Sequence, residues 1–190
     1  PEQERFFSNV FSVYQAGVLI GAAALMAASR LIMRFLAAPS YYEAWHYAPV
    51  LVLGTAVACL GSFFSSVYMA EKHSTATLVT TVAGAVVNIA GNALLIPLYG
   101  AMGAAVATFF SYVVIFVARA VHSRKLLKIR WGVIRFAASM AVLLVECCFV
   151  ERGQIMLSLI CCVAVALLHL QTLWKALKSG VFEILLSRKM

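Results

Sequence analysis

Two arginines spaced one helical turn apart form the first candidate binding pair. Arg30 and Arg34 would share one face of a predicted helix. A guanidinium group binds phosphate oxygens through paired hydrogen bonds, so in an aqueous cavity these side chains could hold an anionic pyrophosphate. The simpler alternative is that both extend to lipid headgroups or water, because Arg30 falls about 30 Å along a helix counted from Val10.

Two asparagines form a second pair with the same spacing. Asn88 and Asn92 lie in a long apolar run and would again share one helix face. Amide side chains in such a run either hydrogen-bond to a neighbouring helix or contact a substrate. Bonding between helices is the simpler interpretation, and both residues are retained as candidates for substrate binding.

Glu146 is the acidic residue predicted to lie within an apolar segment. It falls about 16 Å beyond Arg135 along a helix, too far for a direct ion pair. A carboxyl group at membrane depth is a functional candidate, here for coupling to a proton gradient. The alternative is that Glu146 lies at the outer interface beside Glu151.

The residue inventory excludes most enzyme chemistry. The chain contains no aspartate, so it cannot supply an aspartate pair for metal or a Ser-His-Asp triad. It also lacks G-x-x-x-x-G-K-[ST] and H-E-x-x-H sequences. The histidines are predicted near interfaces and are not clustered; they are His46, His73, His122 and His169. The cysteines are interpreted as small apolar packing residues; they are Cys59, Cys147, Cys148, Cys161 and Cys162. We therefore predict no catalytic residues, no metal site and no cofactor.

The composition places the elements carrying these residues in a membrane. Hydrophobic residues make up 64% and charged residues 12% of the chain, and the mean hydropathy is +0.96. Soluble proteins carry about 25% charged residues. Uncharged runs of spanning length predict an all-α polytopic membrane protein with about six transmembrane helices. The predicted spans are 6–29, 47–70, two within 74–118 that break at Pro97–Gly100, 131–150 and 154–174.

The basic residues predict the orientation. Twelve of the 15 Lys and Arg residues fall in loops on one side, and Arg30, Arg34 and Arg152 fall on the other. The twelve are Arg5, Lys72, Arg119, Arg124, Lys125, Lys128, Arg130, Arg135, Lys175, Lys178, Arg188 and Lys189. The positive-inside rule then predicts cytoplasmic termini and an outward loop at 41–47. The net charge of +8 fits anionic lipid headgroups, and no nucleic-acid partner is expected.

These features divide the chain into four predicted parts. Residues 1–122 would form four transmembrane helices, 123–130 a basic cytoplasmic loop, and 131–174 an additional helix pair. Residues 175–190 would form an amphipathic cytoplasmic tail, with Leu177, Val181 and Leu185 at helical spacing. Because the chain begins with Pro1, we expect a fragment or a processed product.

A family resemblance covers residues 40–130. The stretches S-Y-Y-E-A-W-H-Y-A-P at 40–49, A-E-K-H-S at 70–74 and N-I-A-G-N-A-L-L-I-P-L-Y-G-A-M-G-A-A-V-A-T at 88–108 carry it. Together they resemble the C-terminal part of Wzx-type oligosaccharide flippases, in the multidrug/oligosaccharidyl-lipid/polysaccharide exporter superfamily. The most distinctive piece is the Asn-x-x-x-Asn helix that runs into Leu-Ile-Pro, a short turn and Gly-x-x-Gly-Ala-Ala.

The resemblance implies a two-lobed transporter of 12 to 14 helices with alternating access driven by an ion gradient. Its substrate would be a polyprenyl-pyrophosphate-linked oligosaccharide, moved across the bacterial cytoplasmic membrane for surface polysaccharide synthesis. The main cavity of such a protein is lined by the leading helices of each lobe, which here would precede Pro1. The implied partners are membrane lipids and either a missing N-terminal lobe or a second copy of this chain.

Three alternatives remain open. A peptidoglycan-precursor flippase would share the same motif block. A drug or cation extruder of the same superfamily would need a membrane-buried acid, for which Glu146 is the candidate. A membrane-embedded polysaccharide polymerase or ligase would be expected to carry a large external loop with catalytic Arg, His or Asp, whereas the outward loops predicted here are short.

Overall fold

The computed structural model describes residues 2–70, 74–124, 126, 129 and 132–178, and within these ranges all regular structure is helical. The elements are α1 (Glu2–Leu36), a 3₁₀-helix (Pro39–His46), α2 (Ala48–Ala70), α3 (Ser74–Ser123), α4 (Val133–Glu151) and α5 (Ile155–Lys178). The five α-helices are each long and apolar enough to cross a membrane. The prediction of an all-α polytopic membrane protein is confirmed.

The α3 stretch is a hairpin of two helices. Gly100 has φ 56° and ψ −133°, which no α-helix contains and which glycine adopts without steric cost. A Cβ on Gly91 would lie 3.0 Å from that of Ala107, and Gly84 packs directly against Ile115. Positions before Gly100 therefore meet positions at about the same distance beyond it. The chain reverses at the predicted turn, so the five α-helical stretches of the described residues contain six helical segments.

Close helix contacts on α2 hold the hairpin in place. A Cβ built on Gly54 would lie 3.4 Å from the Cα atom of Phe109. A Cβ built on Gly61 would lie 3.6 Å from the Cα atom of Phe116. Glycines at these two sites let the backbones approach closely, as small residues do between membrane helices. On its other side α2 meets α1, where the ring of Phe11 lies 5.1 Å from that of Phe64.

The helices alternate in direction and so define two ends of the bundle. One end, called here the basic end, carries Arg5, Arg124, Arg135, Lys175 and Lys178. The other, called the turn end, holds the 3₁₀-helix and the turns at Gly100 and Gly153. The cytoplasmic placement of the basic end remains a prediction from charge.

Some predicted features fall outside the described residues. These are half of the residues of the basic loop at 123–130, the tail beyond Lys178, and His73. The predicted helix pair at 131–174 corresponds to α4 and α5, with α5 running four residues further.

Candidate functional site

Glu146 lies at the interface of α4 and α5 with none of its surface exposed. The Ser158 hydroxyl donates a hydrogen bond to Glu146 Oε1 over 3.0 Å. The second carboxylate oxygen, Oε2, has no hydrogen-bond partner among the described residues. Glu151, one and a half turns later, is exposed. Glu146 is therefore buried against α5 and Glu151 is not, and the placement of Glu146 at the outer interface stays a prediction.

Two further polar contacts join the same helices. The Ser139 hydroxyl lies 3.0 Å from His169 Nε2, and both residues are buried. Nearer the basic end, Arg135 Nη1 donates to Thr172 Oγ1 over 2.6 Å. We call the three pairs the polar ladder: Arg135 with Thr172, Ser139 with His169, and Glu146 with Ser158. On α4 the ladder positions are four and seven residues apart, which places them on one face.

The polar ladder is interrupted by an apolar layer. Ser139 and Glu146 are separated by about 10 Å along α4. Leu143 lies between them on α4, Val165 lies on the facing helix, and neither is exposed. Carboxyl, hydroxyl and imidazole groups all exchange protons, so the ladder can hold protons at two levels. The apolar layer separates the level of Glu146 from the level of His169.

A cation at Glu146 would be bound by few ligands. A buried carboxylate is expensive in an apolar medium unless a proton or a cation neutralises it. No three His, Cys, Asp or Glu side chains within the described ranges are grouped to hold a metal ion. The carboxyl and hydroxyl oxygens of Glu146 and Ser158 suit a proton or a monovalent cation.

Arg30 and Arg34 have different surroundings. The Arg30 guanidinium carbon lies 3.7 Å from the centre of the Trp45 ring. A Cβ on Gly153 would lie 2.7 Å from Arg30 Nη1, so this guanidinium also abuts the turn between α4 and α5. Arg34 is exposed in the last turn of α1. The geometry gives Arg30 a structural contact at the turn end, and the anion-binding role of the pair stays a prediction.

Asn88 and Asn92 lie inside the α3 hairpin. Asn88 Nδ2 donates to Thr108 Oγ1 across the hairpin over 3.3 Å. Asn92 Nδ2 donates to Asn88 Oδ1 over 3.0 Å, which leaves Asn92 Oδ1 buried without a partner among the described residues. The Asn88 bond agrees with the interhelical interpretation, whereas the Asn92 bond lies within one arm of the hairpin. Substrate contact by either residue stays a prediction.

Arg119 was assigned to a loop on the cytoplasmic side by its charge; the loop assignment is wrong, and the side of the membrane stays a prediction. The residue lies within α3 and is 8% exposed. Its Nε donates to Thr80 Oγ1 over 3.0 Å, and its Nη2 donates to Thr81 Oγ1 over 2.9 Å. A third bond runs from Nη1 to the Gly61 carbonyl oxygen over 3.3 Å. These oxygens on α2 and α3 accept the hydrogen bonds that water would accept from an arginine in a loop.

His169 was expected near an interface, but it is buried on the ladder. The sequence signal that could have found it is its position within an apolar helix, eleven residues from Ser158, the nearest polar residue toward the turn end. The five cysteines are all free thiols, in agreement with their interpretation as packing residues.

Comparison with known proteins does not identify the chain. No protein-family model matches it, and no curated protein or solved structure shows significant similarity to it.

Proposed function

We propose that this chain forms part of one lobe of an ion-coupled flippase that translocates polyprenyl-pyrophosphate-linked oligosaccharides across the bacterial cytoplasmic membrane. The observation that carries the coupling is the fully buried Glu146 carboxyl, which has one hydrogen bond and one free oxygen. A carboxyl group in this environment binds and releases a cation with a large change in local charge. Such a change can bias the packing of α4 on α5 between two arrangements.

The class of substrate rests on the resemblance at residues 40–130. In the structure this segment includes the 3₁₀-helix, α2 and the α3 hairpin, and α2 packs along the hairpin. The Asn-x-x-x-Asn helix and the Gly-x-x-Gly-Ala-Ala helix of the motif are the two arms of the hairpin, joined by the Asn88–Thr108 bond. The motif therefore corresponds to a packing unit of the bundle, and this unit supports membership of the lobe.

The described turns favour a transporter over a polymerase or ligase. At the turn end the connections are the eight-residue 3₁₀-helix, the reversal at Gly100, and residues 152–154. None of these has room for an external catalytic domain. Basic residues at the opposite end support a cytoplasmic placement of that end and of both termini.

A second candidate is extrusion of a drug or cation by the same superfamily. The burial of Glu146 favours it, because a cationic substrate could bind the carboxylate directly. In a flippase the same carboxyl would bind only the coupling ion.

Transport by the complete reading frame that encodes this chain tests both candidates. It would be expressed in a bacterium lacking its own oligosaccharide flippase, and surface polysaccharide would be measured together with intracellular lipid-linked intermediate. Proteoliposomes with an imposed proton or sodium gradient would then report transport of the lipid-linked oligosaccharide and of a cationic dye. We expect oligosaccharide transport that is lost in Glu146→Gln and retained in the control Glu151→Gln.

The outcomes separate the candidates. Dye transport without oligosaccharide transport would support the extruder. Oligosaccharide transport that is unaffected by Glu146→Gln would remove Glu146 from the coupling mechanism. Transport of neither compound would contradict the proposed function.

A further inference from the structure

A polar cavity of about 310 Å³ opens at the basic end between α1, α4 and α5. Three helices contribute to it, and its lining residues are Asn9, Ser12, Val13, Arg135, Gln171, Thr172, Lys175 and Ala176. Six of these eight side chains are polar or charged. Such a polar concavity contrasts with the rest of the bundle surface, where exposed Leu, Val, Ile and Phe side chains predominate.

The charge of this cavity is positive. Arg135 on α4 and Lys175 on α5 supply two cations, and none of the lining residues is acidic. One N–H of Arg135 is used in the bond to Thr172, which fixes the direction of the guanidinium while its other N–H groups can still donate. Two cations from different helices that face one cavity repel each other, and an anion between them removes that repulsion.

The remaining polar side chains offer acceptors as well as donors. The Ser12 hydroxyl donates to the Ser8 carbonyl oxygen over 2.8 Å, so its lone pairs are left to accept a hydrogen bond from a ligand. Asn9 on α1 and Gln171 on α5 are exposed, and their amide groups can both donate and accept hydrogen bonds. The cavity can therefore bind an anion that carries hydroxyl groups.

The depth of the cavity matches the headgroup layer of a membrane. Trp174, the neighbour of Lys175 on α5, is 59% exposed. Lys178 Nζ lies 5.4 Å from the centre of the Trp174 ring. Exposed tryptophan and lysine at the end of a spanning helix mark the membrane interface. The cavity wall formed by α5 lies at this same level.

We propose that this cavity binds the headgroup of an anionic phospholipid of the phosphatidylglycerol type. The phosphate would lie between Arg135 and Lys175, and the glycerol hydroxyls would meet Asn9, Ser12 and Gln171. The volume is about ten times that of a water molecule, which takes up about 30 Å³ in the liquid, so a phosphate with its glycerol substituent fits. A choline headgroup would place a third positive charge beside two cations and is disfavoured. The bound lipid would join α1, α4 and α5, and it is independent of what the protein transports.

Native mass spectrometry of the purified full chain tests this proposal. Equal amounts of dioleoyl phosphatidylglycerol and dioleoyl phosphatidylcholine would be added in detergent, and the dissociation constant of each bound lipid measured. Each cation near an anionic headgroup is worth about a factor of five in affinity. Lys175→Gln should therefore weaken phosphatidylglycerol binding about fivefold, and Arg135→Gln/Lys175→Gln about 30-fold.

The matched control is Arg124→Gln/Lys178→Gln. It removes the same charge at the same end from residues that do not line the cavity. We expect its affinity for phosphatidylglycerol to stay within about twofold of the unaltered chain. Because Arg135→Gln also loses the bond to Thr172, the single variant Lys175→Gln is the measure that does not depend on that contact.

Four results would overturn the proposal. The first is equal binding of the two phospholipids, and the second is an equal loss of affinity in the cavity variant and the control. The third is displacement of phosphatidylglycerol by inorganic phosphate alone, which would show a site for a free anion. The fourth is displacement of phosphatidylglycerol by polyprenyl pyrophosphate at a concentration below that of the phosphatidylglycerol, which would assign the cavity to a pathway lipid.

Discussion

Replacement of Arg119 by methionine is expected to destabilise the bundle by about 2 kcal/mol. The guanidinium donates three hydrogen bonds, to Thr80, Thr81 and the Gly61 carbonyl oxygen. A hydrogen bond between membrane helices averages about 0.6 kcal/mol, and three bonds give the stated sum. Methionine keeps much of the apolar volume of the arginine stem, so the loss measures mainly the hydrogen bonds.

The two threonines are well suited to accept from this guanidinium. Each hydroxyl donates its own proton within the helix: Thr80 to the Ala76 carbonyl oxygen and Thr81 to that of Thr77. Their lone pairs are thereby directed to Arg119. A double-mutant cycle of Arg119→Met with Thr81→Val should give a coupling energy between about 0.6 and 1.7 kcal/mol.

The free energy of unfolding would be measured in bicelles by steric trapping, with Arg124→Met as the matched control. Arg124 is exposed at the same end of the bundle, so its replacement removes the same charge without a buried contact. We expect the control to change stability by less than about 0.5 kcal/mol. The reasoning would be refuted if Arg119→Met cost no more than Arg124→Met, or if Arg119→Met and Thr81→Val were additive.

Three further substitutions have expected outcomes in the same unfolding assay. Gly153→Ala should cost about 1–2 kcal/mol, because φ is +76° there and the new Cβ would displace the Arg30 guanidinium. Asn88→Val should cost about 0.6–1.7 kcal/mol through loss of the bond to Thr108 and of the bond from Asn92. Glu146→Leu should leave stability unchanged or raise it, because an apolar residue replaces a buried carboxyl with one unbonded oxygen.

Each of these substitutions has its own control. Gly17 lies within α1, and a Cβ added there would have no neighbouring atom within 4 Å. Gly17→Ala should therefore leave the free energy of unfolding unchanged or raise it slightly. A loss for Gly17→Ala as large as that for Gly153→Ala would contradict the backbone argument. Thr108→Val should cost less than Asn88→Val because it removes only the bond across the hairpin, and the two losses should not add. A large loss for Glu146→Leu would show that the carboxyl stabilises the fold.

Features that depend on chain length and local backbone chemistry could be predicted from the sequence. The apolar run from Ser74 to Ala118 is too long for one span, and Pro97 to Gly100 is the local place to reverse. The structure places the reversal at Gly100. Neither inference needs knowledge of a distant residue, which explains why both are correct.

Features that depend on distant partners could not be predicted in this way. A positive-inside count treats Arg119 as a loop charge, because its acceptors Thr80 and Thr81 lie 39 and 38 residues earlier. The burial of Glu146 depends on which face of α4 meets α5, and periodicity alone does not choose among apolar faces. Its partner Ser158 lies beyond the turn, on the next helix.

The α3 hairpin has a consequence for how the chain enters the membrane. Asn88 and Thr108 satisfy each other only when both arms are present, and the reversal at Gly100 adds almost no polar chain between them. The first arm alone would expose an unpaired amide to lipid, which is unfavourable. We therefore expect residues 74–123 to leave the translocon together. A nascent chain ending near residue 100 should remain crosslinked to the translocon, and one reaching residue 123 and beyond should be released into lipid.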